Sequence, residues 1–419
     1  MTDPELWRDA RIAEEVRRFV FDDSSDEPQT PVPEELRALG DRVHGPVLDL
    51  LADESIRDRL ADRPGGVMIC EAPFDRACDL LGDAPPHEAA SRLAPFFVYP
   101  MQAVRAKAAR MYGKLATEDA LPFLRRAFRD LDERMAVAAM EGLLVAARLG
   151  RIPERSVAEM FEEVRSKHET ARSGRDEAKL LLAIDRERAV EYLAAESRWQ
   201  SPPDWFAGAL SALAEAGVLV PRNRLVDFIR RLEPGGDLHP ADGLLAPTLP
   251  LLGSHRDPRD LAALERLLDG PDEFPAQGAS EGLLAYHGLH DLEARLERKP
   301  RASRTRYEVW YEAVIALDGL VGNGGFDHFF TCTAEDEWHL ALEGLEAMGF
   351  VERASIARKA VGLMVGGWWR PARRRADVGR RCRRHGQALE ELAGRWYACE
   401  ESLVAGATRF VIAHAEDFR

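Results

Sequence analysis

This 419-residue sequence has no apolar run approaching the roughly 18 to 20 residues of a membrane-spanning helix, and its first segment, MTDPELWRDARIAEEVRRF, is charged where a secretory leader would be apolar. These absences point to a cytoplasmic protein. Cysteine is scarce: the five present (Cys70, Cys78, Cys332, Cys382 and Cys399) are scattered, odd in number and without a C-x-x-C pair. Such a set builds neither a disulfide frame nor a zinc site, so reduced, buried thiols are expected. There is no G-x-x-x-x-G-K-[ST] loop, and HEAAS (87–91) lacks the second histidine of a zinc helix. His287 and His290 stand three apart with no cysteine near enough to complete a metal set. The sequence assigns no catalytic residue, no cofactor and no metal.

Positive charge is short overall and missing locally. The net charge is −15; residues 301–419 hold 17 basic and 17 acidic groups, so residues 1–300 carry the whole excess, 40 against 55. Within the balanced part, 307–352 holds ten carboxylates and no lysine or arginine, while 370–384 holds eight arginines and one aspartate. An acidic chain suits nonspecific nucleic-acid contact poorly, because phosphate contacts need a basic surface. The expected partner is a basic protein.

The first three hundred residues repeat. Leu121/Leu124, Val157/Met160, Val190/Leu193, Val226/Ile229 and Leu261/Leu264 have helical spacing, and their second members recur after 36, 33, 36 and 35 residues. Between them lie second amphipathic helices such as 132–150 and 202–217, with Pro153, Pro221 and Pro258 near helix starts and Gly150 and Gly217 at ends. A helical hairpin cannot bury its apolar face alone and must stack on its neighbours, which predicts an all-α solenoid. The segment 104–143, with Asp119, Asp130 and Asp132 near the turns, resembles the HEAT-repeat family. The resemblance covers 85–300; 1–84 reads as helical but irregular, with PGGVMICEAPF (64–74) the one candidate for a short strand.

After the basic joint RKPRASRTR (298–306) the period stops, and five of the eight tryptophans follow it, so 305–419 reads as a second, small all-helical domain. Its first helix, 307–321, sets Trp310, Ala313, Val314, Leu317 and Val321 on one face and Glu308, Glu312 and Asp318 near the other. Asn323-Gly324-Gly325 then makes a tight turn, both glycines being able to take positive φ. Phe326, Phe329 and Phe330 follow as a core face. Thr333 is placed to cap a helix with Glu335, Asp336 and Glu337 in its first turn and Trp338, Ala341, Leu342, Leu345 and Met348 as its apolar stripe.

Trp310-Tyr311, the V-x-N-G-G-F run at 321–326, Phe329-Phe330, ALEGLEAMGF (341–350) and FVIAHAEDF (410–418) together resemble the bacterial DNA-mimic protein family over 305–418. The resemblance implies a nonenzymatic helical protein whose acidic surface imitates DNA phosphates and covers the DNA-binding face of a repressor-like regulator. The residues that would present those charges are Glu308, Glu312, Asp318, Asp327, Asp336, Glu343 and Glu346, on a frame set by Asn323, Gly324, Gly325, Phe326, Phe329 and Phe330. The arginines at 370, 373–375, 380, 381, 383 and 384 depart from that picture and read as a clamp on the acidic face or a solvated arm, with Trp368-Trp369 anchoring it in the core. Two other function classes stay open: a toxin-neutralising inhibitor using the same acids, and an enzyme with a site between the domains built from His328, His339, Asp327 and Glu335.

Overall fold

A computed structural model describes residues 7–21, 32–53, 56, 72–115, 119–130, 132–171, 174–232, 243–290, 292–365 and 375–419. Among the described residues there is no strand, and no helix is long and apolar enough to cross a membrane. The fold class is all-α. The strand candidate 64–74 lies outside the described residues up to 71, and Ala72-Pro73-Phe74 begin a helix.

The chain divides into two compact units, Met1–Ala195 and Glu196–Arg419. The first holds α1 Asp9–Val20, α2 Glu34–Ala38, α3 His44–Ala52, α4 Ala72–Leu81, α5 Ala89–Leu93, α6 Gln102–Lys114, α7 Ala120–Phe128, α8 Glu133–Arg148, α9 Glu154–His168, α10 Arg175–Ile184 and α11 Arg186–Leu193. The second holds α12 Glu196–Gln200, α13 Phe206–Glu215, α14 Arg222–Leu232, α15 Leu245–Gly253, α16 Pro258–Leu268, α17 Glu273–Tyr286, α18 Leu292–Arg298, α19 Arg306–Cys332, α20 Glu335–Ala347, α21 Val351–Val365, α22 Arg375–Tyr397 and α23 Leu403–Ala413.

Alternate helices form ladders. In the first unit α6 packs on α8 and α8 on α10, with α7 and α9 alongside; in the second α13 packs on α15 and α15 on α17, with α14 and α16 alongside. The periodic leucines and methionine sit on the flanking helices. Leu124, Met160, Leu193 and Leu264 are buried, each contributing about 1.5–3 kcal/mol by leaving water. Ile229 is only half-buried against the α16–α17 cluster, because Leu225 and Phe228 take the inward positions of α14. Asp132, Asp185 and Asp257 start their helices by accepting the backbone N–H of Arg134, Arg188 and Arg259.

The closest helix pairs share one device. A Cβ on Gly142 (α8) would meet the Ala109 carbonyl oxygen of α6 and come within 2.7 Å of Leu124 Cδ2. A Cβ on Gly282 (α17) would lie 2.8 Å from the Leu249 carbonyl oxygen of α15 and 2.9 Å from Leu264 Cδ2. Gly113, Leu124 and Gly142 thus recur as Gly253, Leu264 and Gly282, each 140 residues later, or four periods of about 35. Gly278-Ala279-Ser280-Glu281-Gly282 spells G-x-S-x-G, the letters of a nucleophile elbow, but it lies inside α17 rather than on a strand-to-helix turn. Its glycines serve helix packing, and the Ser280 hydroxyl is 2.6 Å from that of Thr408.

The last helix extends the second ladder. Ala405 of α23 joins the cluster of Leu249, Leu264, Leu268, Ala279 and Leu283, while Phe410, Val411 and Phe418 pack with Leu289, Leu292 and Leu296. Arg409 pairs with Asp269 at the end of α16. Residues beyond 305 therefore share a core with the helices before them. The rest of that segment, α19 to α22, closes around its own core of Val314, Leu317, Phe326, Phe330, Trp338, Leu345, Leu389 and Trp396.

Candidate protein-binding surface

The first carboxylate of the acidic stretch faces inward. Thr305-Arg306-Tyr307-Glu308 is a capping box: the Thr305 hydroxyl accepts the Glu308 N–H at 3.2 Å, and the Glu308 carboxylate accepts the Thr305 N–H at 2.7 Å. Lys299 Nζ reaches both Glu308 oxygens, at 2.9 and 2.7 Å, and the residue is 3% exposed. The expectation that Glu308 presents charge to a partner is corrected: it holds α19 to the end of α18.

Further along, α19 kinks. Gly325 has φ +79°, whereas Gly324 has an extended φ of −168°, so only one of the two glycines uses the left-handed region. Gly324 is needed for space, since a Cβ there would lie 2.9 Å from His328 Cβ. Asn323 is exposed just before the bend. The kink turns Phe326, Phe329 and Phe330 into the core, where the ring of Phe326 meets Trp396 edge-on with centroids 5.7 Å apart and that of Phe330 meets Trp338 at 4.8 Å. Gly325→Val is expected to destabilise the Glu196–Arg419 unit by about 1–3 kcal/mol, the cost of forcing a β-branched residue to positive φ, read as a lower melting temperature. An unchanged melting curve would contradict the described turn.

Residues 301–414 match the DMP19-like protein family. The match coincides with the segment that resembles DNA-mimic proteins, built on the N-G-G-F kink and the phenylalanines behind it. No curated protein and no solved structure matches the chain.

Within the DMP19-like region several of the acids are paired. Glu312 pairs with Arg304, Glu337 with Arg301, Glu343 with Arg306 at 3.2 Å, Glu346 with Arg358, and Asp318 with Arg353 at 3.5 Å. The bases come from just outside the lysine- and arginine-free window, at 301–306 and 353–358. Asp318 also accepts the Trp396 indole N–H at 3.0 Å, which ties it to the core. Glu312 is half-buried, and burial raises its pKa against the opposing pull of Arg304. Glu343 is different: exposed, it accepts the Trp310 indole N–H at 3.2 Å, and this bond with the Arg306 guanidinium lowers its pKa. Asp327, Asp336 and Glu346 are exposed as well. Asp336, Glu343 and Glu346 lie on α20, whereas Asp327 lies beyond the kink of α19.

Other expectations are redrawn by the structure. Thr333 ends α19 rather than starting α20: its hydroxyl donates to the Phe329 carbonyl at 2.6 Å and accepts the Trp338 indole N–H at 3.0 Å, while α20 begins after Ala334 without a side-chain cap. Cys78 and Cys382 are buried thiols, but Cys332 is exposed at the last turn of α19 beside His328 and Cys399 is half-buried. Of the arginine arm, Arg370, Arg373 and Arg374 lie outside the described residues, as do Trp368 and Trp369. The remainder is not an arm but the first turns of α22, where Arg381 donates to the Met364 carbonyl and Arg380, Arg383 and Arg384 are exposed. Asp327 and His328 lie on α19 and Glu335 and His339 on α20; among the described residues no group of three or more His, Cys, Asp or Glu is gathered as metal ligands.

Proposed function

We propose that this chain is a nonenzymatic binding protein whose DMP19-like region holds the DNA-contacting surface of a basic regulator through exposed carboxylates of α20. The match of residues 301–414 to the DMP19-like family carries the reading. The side chains support it. Glu343 and Glu346 are three apart on a helix, about 5–6 Å between Cβ atoms, which is of the order of successive phosphates along a DNA strand. Glu343 is already oriented by Trp310, so little ordering entropy is lost when a partner's lysine or arginine arrives. Their present partners, Arg306 and Arg358, form exposed pairs worth about 0–1 kcal/mol, so exchange for a partner's base is cheap.

The test uses the full chain as bait, identification of the captured DNA-binding protein, and competition by that protein's own DNA. The Glu343→Gln, Glu346→Gln double variant is expected to weaken capture about tenfold while its melting temperature stays within the range of surface changes. Binding should fall with salt, and operator DNA should displace the chain. Capture that is indifferent to both glutamates and to DNA would sink the reading.

A further inference from the structure

We infer that the cleft beside α23 is a small-molecule site, and that its ligand is an amino-acid zwitterion with an apolar side chain. The site does not depend on the acidic-face reading. Three pieces of chain line a cleft of about 670 Å³: Asp269 after α16, the Ala347–Phe350 turn between α20 and α21, and Glu400 to Ser402 with one face of α23. On that face Ser402, Ala405, Gly406, Arg409, Phe410 and Ala413 recur at helical spacing. The volume falls among those of small-ligand sites, about 300 to 1,000 Å³. The space is there because side chains are missing. Ala347, Gly349 and Ala413 are exposed and fill little of it, and the Phe350 ring lies against bare Gly406, its tip 2.3 Å from where a Cβ would stand. Phe350 and Phe410 are buried and Met348 is half-buried, so the floor is apolar.

The charges on the walls select the ligand. Arg409 Nη2 donates to both Asp269 oxygens, at 2.5 and 2.6 Å, and the two side chains are more than half exposed. Glu400 is exposed on the same cleft. Glu401 is already committed: its carboxylate accepts the N–H groups of Val351, Glu352 and Arg353 at 2.9 to 3.0 Å, at the start of α21. A ligand with only a carboxylate would gain Arg409 but face Asp269 and Glu400, and one with only an ammonium would gain those acids but face Arg409. An α-amino acid carries both charges side by side, as the Arg409–Asp269 pair does. Its carboxylate meets the guanidinium while its ammonium meets the acids. Opening the pair to admit it costs little, because exposed ion pairs contribute little to stability. The ligand's side chain then lies over Met348, Phe350 and Phe410, where burial supplies affinity.

The probe is L-leucine, titrated into the full chain by calorimetry beside three analogues that each lack one part: N-acetyl-leucine the ammonium, isoamylamine the carboxylate and glycine the apolar arm. Leucine is expected to bind with a dissociation constant of about 0.1–1 mM, as suits so small a ligand, and each analogue about tenfold more weakly or worse. Arg409→Gln removes the guanidinium, and Ala413→Phe fills the cleft from an exposed helix position. Each is expected to weaken leucine binding about tenfold while the melting temperature holds. The Glu343→Gln, Glu346→Gln variant should bind leucine as the wild type does, which separates the cleft from the acidic surface. No leucine binding at about 10 mM, or binding that neither cleft variant weakens, would overturn the inference. So would isoamylamine that binds as tightly as leucine, because the cleft would then be a site for cations.

Discussion

Replacing Gly282 with valine is expected to lower the melting temperature of the Glu196–Arg419 unit by about 6–12 °C, from a loss of about 3 kcal/mol in a domain of this size. The reason is backbone, not side chain. The first carbon of any side chain at Gly282 would stand 2.8 Å from the Leu249 carbonyl oxygen on α15 and 2.9 Å from Leu264 Cδ2, and a carbonyl inside a helix cannot rotate away. The α15–α17 pair would have to separate, and the leucines between the helices would lose their contacts with it. Gly142→Val should act likewise in the Met1–Ala195 unit, where Leu124 and the Ala109 carbonyl take the same places. Gly319→Ala is the control: Gly319 lies in α19 with open space on all sides of the position a Cβ would take, so removal of a helix-interior glycine should be neutral or stabilising by up to about 1 kcal/mol. Calorimetry that finds the Gly282 variant as stable as the wild type would show that the two helices do not depend on that approach.

Removing the carboxylate of Glu308 is expected to have the next largest effect. Glu308→Ala takes away both halves of what the group does: the acceptor for the Thr305 N–H and the counterion of Lys299. Because Glu308 is buried, the groups left behind lose their partner in a place where water is a poor substitute, and a loss of about 2–3 kcal/mol follows. The denaturant midpoint should drop while the slope stays constant. Glu343→Gln offers the contrast, an exposed carboxylate whose removal should change stability by no more than about 0.5 kcal/mol. If the two substitutions cost the same, the division into a buried structural acid and exposed surface acids fails.

That division is only partly legible in the sequence. Ten carboxylates without a base across 307–352 invite the reading of one continuous acidic face. The compensating bases lie at the borders of that window, and two of its acids have structural work: T-x-x-E at 305–308 is a capping box, and the indole of Trp396 needs an acceptor that Asp318 supplies. The first signal is local and readable. The second is not, because 78 residues separate Asp318 from Trp396 and only folding brings them together. Thr333 shows the same limit on a smaller scale, since a threonine between two helices can serve the end of one or the start of the next, and the positions of the Phe329 carbonyl and the Trp338 indole decide which.

The sequence by itself determined the helical class, the period of about 35 residues and the kinked phenylalanine core, because each follows from interactions between residues near in the chain: apolar spacing, caps and the left-handed freedom of Gly325. Apart from the local capping box of Glu308, tertiary structure decided which carboxylates are paired. It also decided that the C-terminal helix leaves its own segment to extend the α13–α15–α17 ladder, where Ala405 and Thr408 meet α17 and Phe410 meets Leu289. The physical reason is common to both. An ion pair or an apolar contact depends on distance in space, and neither charge pattern nor hydrophobic period specifies which distant partner will satisfy it.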